Sequence, residues 1–228
     1  MIIFNLLVII FTNPTYFIFY ISDLLSSDED GRTKLYTAAV NNRLEEAKEY
    51  LKAAKDLGIL STLINTDDNN GQTPLMVASW NGHLQVVEVL VLNGATIDKA
   101  SHDGATPLFV ASQEGHLEVV QHLLKKGTTV DKAMYDGITP LYIAVHIGHL
   151  KVVEVLLQKG ATIDKADIRG WTPLMVASYH GYLDIVNVLL NHNSDIHLKD
   201  KLGSTALYWA RQQGHTKTVK TLKQNLRY

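Results

Sequence analysis

Thr-Pro-Leu occurs four times at constant spacing: Thr73-Pro74-Leu75, Thr106-Pro107-Leu108, Thr139-Pro140-Leu141 and Thr172-Pro173-Leu174, each 33 residues after the one before, with Thr205-Ala206-Leu207 as a fifth variant in register. A Gly stands two positions before each Thr, at Gly71, Gly104, Gly137, Gly170 and Gly203. A second series runs Gly82, Gly115, Gly148, Gly181 and Gly214; a third runs Gly94, Gly127 and Gly160, with Asn193 in the fourth place. Of the 15 glycines only Gly31 and Gly58 lie off these phases. A fixed period of this length makes each unit a small supersecondary structure that buries its apolar face against its neighbours.

Each phase has a local physical reading. Thr before Pro suits a helix N-terminus: the Thr oxygen caps, and Pro in the first turn lacks an N–H that would be unpaired anyway. Leu75 and Ala78 begin an apolar face, and Gly82 can take the left-handed conformation that stops a helix. A second segment follows His83, with Leu84, Val87, Leu90 and Val91 at helical spacing, and Gly94 stops it. Asn193 supports this reading, because Asn is the usual second choice for left-handed backbone. The dozen or so residues before the next Thr are short and turn-rich, and read as an extended hairpin. The unit is therefore helix, turn, helix, hairpin.

These residues resemble the ankyrin repeat family. The match runs from Asp103-Gly104-Ala105-Thr106-Pro107-Leu108 through Gly115-His116-Leu117-Glu118-Val119-Val120 to Leu123-Leu124, and recurs over residues 31–228. The resemblance implies an all-α solenoid of about six helix-turn-helix-hairpin repeats. Its units lie near 31–67, 68–100, 101–133, 134–166, 167–199 and 200–228. It also implies a rigid protein-recognition scaffold, not an enzyme, with no cofactor and no metal.

Departures from the family pattern set further expectations. Where the family often has His after Thr-Pro-Leu, this chain has Met76, Phe109, Tyr142, Met175 and Tyr208, so the usual side-chain hydrogen bond near the hairpin base is expected to give way to packing. The first unit, Gly31-Arg32-Thr33-Lys34-Leu35, lacks the Pro and precedes its successor by 40 residues, so about seven are inserted between Leu51 and Ile64. The last unit places Thr216 and Lys223 where Leu stands in other repeats, and with Lys217, Lys220 and Arg227 these make a polar end-face expected of a terminal cap, with the array ending in this chain.

No Gly-rich phosphate loop, G-x-S-x-G or H-E-x-x-H motif occurs in the sequence. Of ten histidines, His83, His116, His149 and His215 recur at one phase and are expected to position the turn. The pairs Asp98-Lys99, Asp131-Lys132 and Asp164-Lys165 recur identically and read as solvated turns, and Trp209, in the phase of Val77, Val110, Ile143 and Val176, reads as core. Function is sought where the repeat varies, since the repeated phases are committed to packing. Two variable sets stand out: the residues flanking the hairpin Gly and the end of each first helix. By resemblance both line a concave groove, roughly 50–60 Å long at ~10 Å per repeat. The expected partner-binding residues are Trp80, Asn81, His102, Glu114, Tyr135, His146, Ile147, Ile168, Arg169, Trp171, Tyr179 and His180. Trp80, Tyr135, Trp171 and Tyr179 are the aromatic anchors among them.

Lys and Arg number 21 and Asp and Glu 23, a net charge of −2 that argues against nucleic acid as partner. Cysteine is absent, which excludes disulfides and thiolate chemistry. Every charged side chain lies at Asp23 or beyond, while Phe4, Phe11, Phe17 and Phe19 lie before it. Residues 1–21 are thus chemically distinct from 22–30, an acidic linker, and the repeats that follow. A membrane anchor is the favoured reading of residues 1–21, with Pro14 against it; a signal peptide and a mis-assigned translation start are the alternatives. Basic residues after the segment would leave the repeats cytoplasmic. The expectation is a monomeric cytoplasmic adaptor that binds another protein. Its alternative is a membrane-tethered regulatory subunit holding a membrane protein's tail.

Overall fold

A computed structural model describes residues 14–226. Among these residues the chain forms 14 helices, and its one β-bridge is the isolated pair Ser27 and Thr33. They fall into two compact units: the chain up to Ala78 together with His83–Thr96, and Ser79–Gly82 together with the chain from Ile97.

The first unit carries the irregular beginning of the array. Its opening helix, Pro14–Leu25, has 12 residues and runs through the boundary expected at residue 22. Leu24 is buried in its last turn, and Asp23 pairs with Lys34 at 2.6 Å, so part of the expected linker is helical. No helix among the described residues is long and apolar enough to cross a membrane. The anchor expectation for residues 1–21 lies, for positions 1–13, outside the described residues.

The Lys34–Val40 helix starts without Pro, because Thr33 caps it by accepting the Tyr36 N–H at 3.2 Å. Asn42 takes the left-handed turn (φ 55°) where later repeats have Gly. The helix after it, Leu44–Asp56, has 13 residues where the later second helices have nine or ten, and a short helix, Leu60–Leu63, follows. The inserted residues are therefore a longer helix and an extra turn. Leu51, Ala54, Leu57 and Leu63 bury their apolar faces.

In the second unit the repeat is regular. First helices Pro107–Glu114, Pro140–Ile147, Pro173–His180 and Ala206–Gln212 alternate with second helices Leu117–Lys125, Leu150–Gln158, Leu183–Asn191 and Thr216–Asn225. Thr106, Thr139, Thr172 and Thr205 each accept the N–H three residues on, at 3.1–3.4 Å. Each such cap stabilises by about 1 kcal/mol. First helices stack on the next first helix and on their own second helix. Leu108, Leu141 and Leu174 on one, and Val120, Val153 and Val186 on the other, are fully buried.

Gly115 is required twice over. Its φ is +76°, and a Cβ there would stand 2.6 Å from the His149 ring. That ring reaches back to donate from Nε2 to the Gln113 carbonyl, 2.9 Å away. His116 and His215 do the same at Trp80 O (2.8 Å) and Tyr179 O (2.9 Å), and in the first unit His83 bonds Val40 O at 3.0 Å. These histidines thus fasten successive repeats, a larger role than positioning their own turns. The corresponding residue of the fourth regular repeat is Tyr182, packed over Gly148.

The recurrent Asp-Lys pairs are also joints, which corrects their reading as solvated turns. Asp98 accepts the Thr128 hydroxyl, the Thr129 hydroxyl at 2.7 Å and the Thr129 N–H at 3.0 Å. Asp131 holds the Thr162 N–H at 3.0 Å, and Asp164 the Ser194 hydroxyl at 2.6 Å. Lys132 and Lys165 donate to the Asp98 and Asp131 carbonyls at 2.6 and 2.9 Å. Burial pulls Asp98 towards the protonated form, but the hydrogen bonds from Thr128 and Thr129 and the Lys132 charge outweigh it, so its carboxyl sits below its ordinary range. In the first unit Asn65 holds the Thr96 N–H in the same way at 2.8 Å.

Candidate functional site

The hairpins between repeats are closed by single turns, too short for strands. Each of three tips is tied by one backbone hydrogen bond to the preceding tip: Tyr135 N to Asp103 O (3.3 Å), Ile168 N to Asp136 O (2.9 Å) and Lys201 N to Arg169 O (3.1 Å). At the base of the Asp167 hairpin the carboxylate is buried and saturated. Oδ1 accepts the Arg169 and Trp171 N–H groups at 2.9 Å each; Oδ2 accepts Arg169 Nε at 2.8 Å and the Tyr142 hydroxyl at 3.1 Å. Burial raises the Asp167 carboxyl, yet these donors together hold it below the ordinary carboxylate range. Burial, with the Asp167 charge, pushes the Tyr142 phenol well above its ordinary value, so the phenol stays a donor.

The expectation that packing replaces the hairpin-base hydrogen bond is therefore corrected at Tyr142. Tyr36 in the first unit likewise donates to Asp68 Oδ2 at 3.0 Å. In the last repeat the same duty falls to Trp209, whose Nε1 donates to Asp200 Oδ2 at 3.0 Å. Trp209 is half-buried, not core. An indole exceeds the slot that Val110 and Val176 fill, and its polar edge is drawn out to the carboxylate.

Trp209 instead completes an aromatic cavity. Its ring lies 4.5 Å from Trp171 and 6.0 Å from Tyr179, and Trp171 meets Tyr179 edge-on at 5.5 Å. The cavity, of about 360 Å³, is lined by Tyr142, His146, Arg169, Trp171, Val176, Tyr179, His180 and Trp209. Arg169 lies over Trp171, Cζ 5.2 Å from the ring centroid. On the other side His146 and His180 meet edge-on at 4.9 Å, with His180 Nε2 and His146 Nδ1 3.3 Å apart. His180 also stacks on Tyr182 at 5.3 Å. Burial, then the nearby His146 and His215, depress the His180 imidazole below its ordinary range.

The twelve expected partner-binding residues thus divide. His146, Arg169, Trp171, Tyr179 and His180 converge on one cavity. Trp80, Asn81, His102, Glu114, Tyr135, Ile147 and Ile168 are exposed outside it. Tyr135 and Ile168, exposed by 80% and 59%, are hairpin tips with little burial of their own. Sequence reasoning missed Tyr142, Val176 and Trp209 as cavity residues. A large aromatic at a phase otherwise held by Val was the available signal for Trp209. Among the described residues no group of three His, Cys, Asp or Glu side chains is arranged to hold a metal ion.

The chain matches the family described as ankyrin repeats (3 copies) over residues 7–101, 91–167, 129–200 and 163–227. No curated protein matches it. Ankyrin repeats are protein–protein interaction modules, and with these matches covering well over half of its length the chain belongs to the ankyrin repeat family.

Proposed function

We propose that this chain is a non-catalytic scaffold that binds another protein, and that its anchor point is the cavity formed by Trp171, Tyr179 and Trp209. The observation that carries the reading is three large rings meeting at an open cavity in an otherwise periodic array. Periodic positions hold repeats together; side chains that occur once are free of that duty and can serve a partner. A partially buried aromatic cluster with a polar surround is the composition of an interface hot spot. Trp80, 42% exposed and at the phase that holds His146 and Tyr179 in later repeats, is a separate contact.

The test is affinity capture from a lysate of the native cell on the full chain. Its control is the same chain with Trp80, Trp171 and Tyr179 changed to Ala, verified as folded by circular dichroism. Proteins retained by the parent and lost by the variant are the expected result. Equal capture by both chains would reject the ring cavity as the anchor.

A further inference from the structure

The two carboxylates that accept hydrogen bonds from cavity side chains, Asp167 and Asp200, are buried and saturated. Asp167 is 7% exposed and accepts four donors; Asp200 is 6% exposed and accepts the Leu202 and Ser204 N–H groups and the Trp209 indole. The cation beside them points outward. The Arg169 side chain is 62% exposed, yet it is not free to wander. Nε and Nη2 are held by Asp167 at 2.8 Å, Nη2 also meets the Tyr142 hydroxyl at 3.1 Å, and Trp171 supports its face. Among the described residues Nη1 has no hydrogen-bond partner. A guanidinium fixed on one edge and open on the other has already lost most of the freedom it would give up on pairing. Asp136, on the preceding tip, accepts the Ile138 N–H at 3.1 Å and does not line the cavity.

Resting on the reading of this cavity as the anchor point, we propose that its occupant is an acidic segment of a partner protein. Such a segment would set an aromatic or other apolar side chain against Trp171, Tyr179 and Trp209. A neighbouring carboxylate would accept hydrogen bonds from Arg169 Nη1. The rings supply the apolar contact and Arg169 the sign of the charge selected, because a carboxylate can accept from the outward Nη1 edge of the Asp167-paired guanidinium, whereas a basic segment would bring a second donor cation to it.

The test titrates the full-length chain, labelled with ¹⁵N, with three blocked peptides: Gly-Asp-Glu-Phe-Glu-Asp-Gly, a version with every acidic residue replaced by Lys, and a version with Phe replaced by Ala. The chain has three tryptophans, so the indole N–H signals of Trp171 and Trp209 report the cavity and that of Trp80 is an internal control. The acidic Phe peptide is expected to shift Trp171 and Trp209 saturably while Trp80 stays in place. The Lys and Ala versions are expected to bind at least about tenfold more weakly. Arg169→Gln should remove the preference for acidic over Lys peptide, and Arg169→Lys, which keeps the charge, should retain part of it. Equal or tighter binding of the Lys peptide, or no shift of Trp171 and Trp209 with the acidic one, would overturn the inference. Lysate capture by the ring variants separates the two claims. If capture still depends on Trp171 and Tyr179 while the acidic peptide does not bind, the anchor stands and its acidic occupant is wrong; if capture is also indifferent to them, the anchor itself fails.

Discussion

Two parts of the second unit differ in the kind of order they show. Along the Asp98, Asp131 and Asp164 joints one interaction is written three times: a carboxylate receives a hydroxyl or N–H from the next repeat about 31 positions on. Around the ring cavity the cluster of Trp171, Tyr179 and Trp209 is written once. The phase of Trp171 holds Ala105 and Ile138 in earlier repeats, and the phase of Trp209 holds Val110 and Val176. Repetition marks what every repeat needs in order to stack. Its loss marks side chains released from stacking.

Breaking the repeated side should damage stability most. Leu156→Ala removes a fully buried side chain from the stacked core, and should cost about 2–5 kcal/mol in denaturant unfolding of the full chain. Gly115→Ala comes next. It forces an L side chain into φ +76° and into the His149 ring, for a loss of about 1–3 kcal/mol. Adding His149→Ala should recover part of that loss, a non-additivity that a double-mutant cycle measures. If the two losses simply add, the ring contact is not what constrains Gly115.

The joints sharpen the comparison through pH. The folded-state pKa of Asp98 is depressed, so its stabilisation is complete above the unfolded value near ~3.9 and is lost as pH falls through the folded one. Asp98→Asn should therefore flatten the acid limb of the stability profile below about pH 4. The same substitution at Asp131, which holds two donors of Thr162, should cost about 0.5–1.5 kcal/mol at neutral pH. The smallest effect belongs to His180. Its depressed pKa means the unfolded chain binds a proton first, so stability falls as pH drops below the unfolded value near ~6.5. His180→Gln should remove that slope between about pH 7 and 5, read by thermal unfolding across the range.

The local part of the fold was legible in the sequence. Thr-Pro at a helix start and Gly at a left-handed turn are properties of a few adjacent residues, and Asn42 and Asn193 take the turn where Gly is missing. The joints were misread because each Asp finds its partner a full repeat away. Hydroxyls at two adjacent phases, Thr128 and Ser194 in one and Thr129 and Thr162 in the next, were the signal that could have exposed them. At the site, the phase argument named five of the cavity's residues but not Tyr142 or Trp209. Phase assigns a position its usual environment. It does not register that a phenol or an indole there has a polar atom, which Asp167 and Asp200 draw into the hairpin base.

The central claim, that repeated positions stabilise and unrepeated ones bind, is tested by one crossed measurement. The full chain carrying Trp171→Ala with Tyr179→Ala, and separately Asp98→Asn with Asp131→Asn, is assayed for thermal unfolding and for capture of the same proteins from the same lysate at a temperature where all remain folded. The ring variant is expected to lose capture while keeping its helical circular dichroism; the joint variant is expected to unfold at lower temperature while keeping capture. Capture lost by the folded joint variant, or kept by the ring variant, would contradict the division.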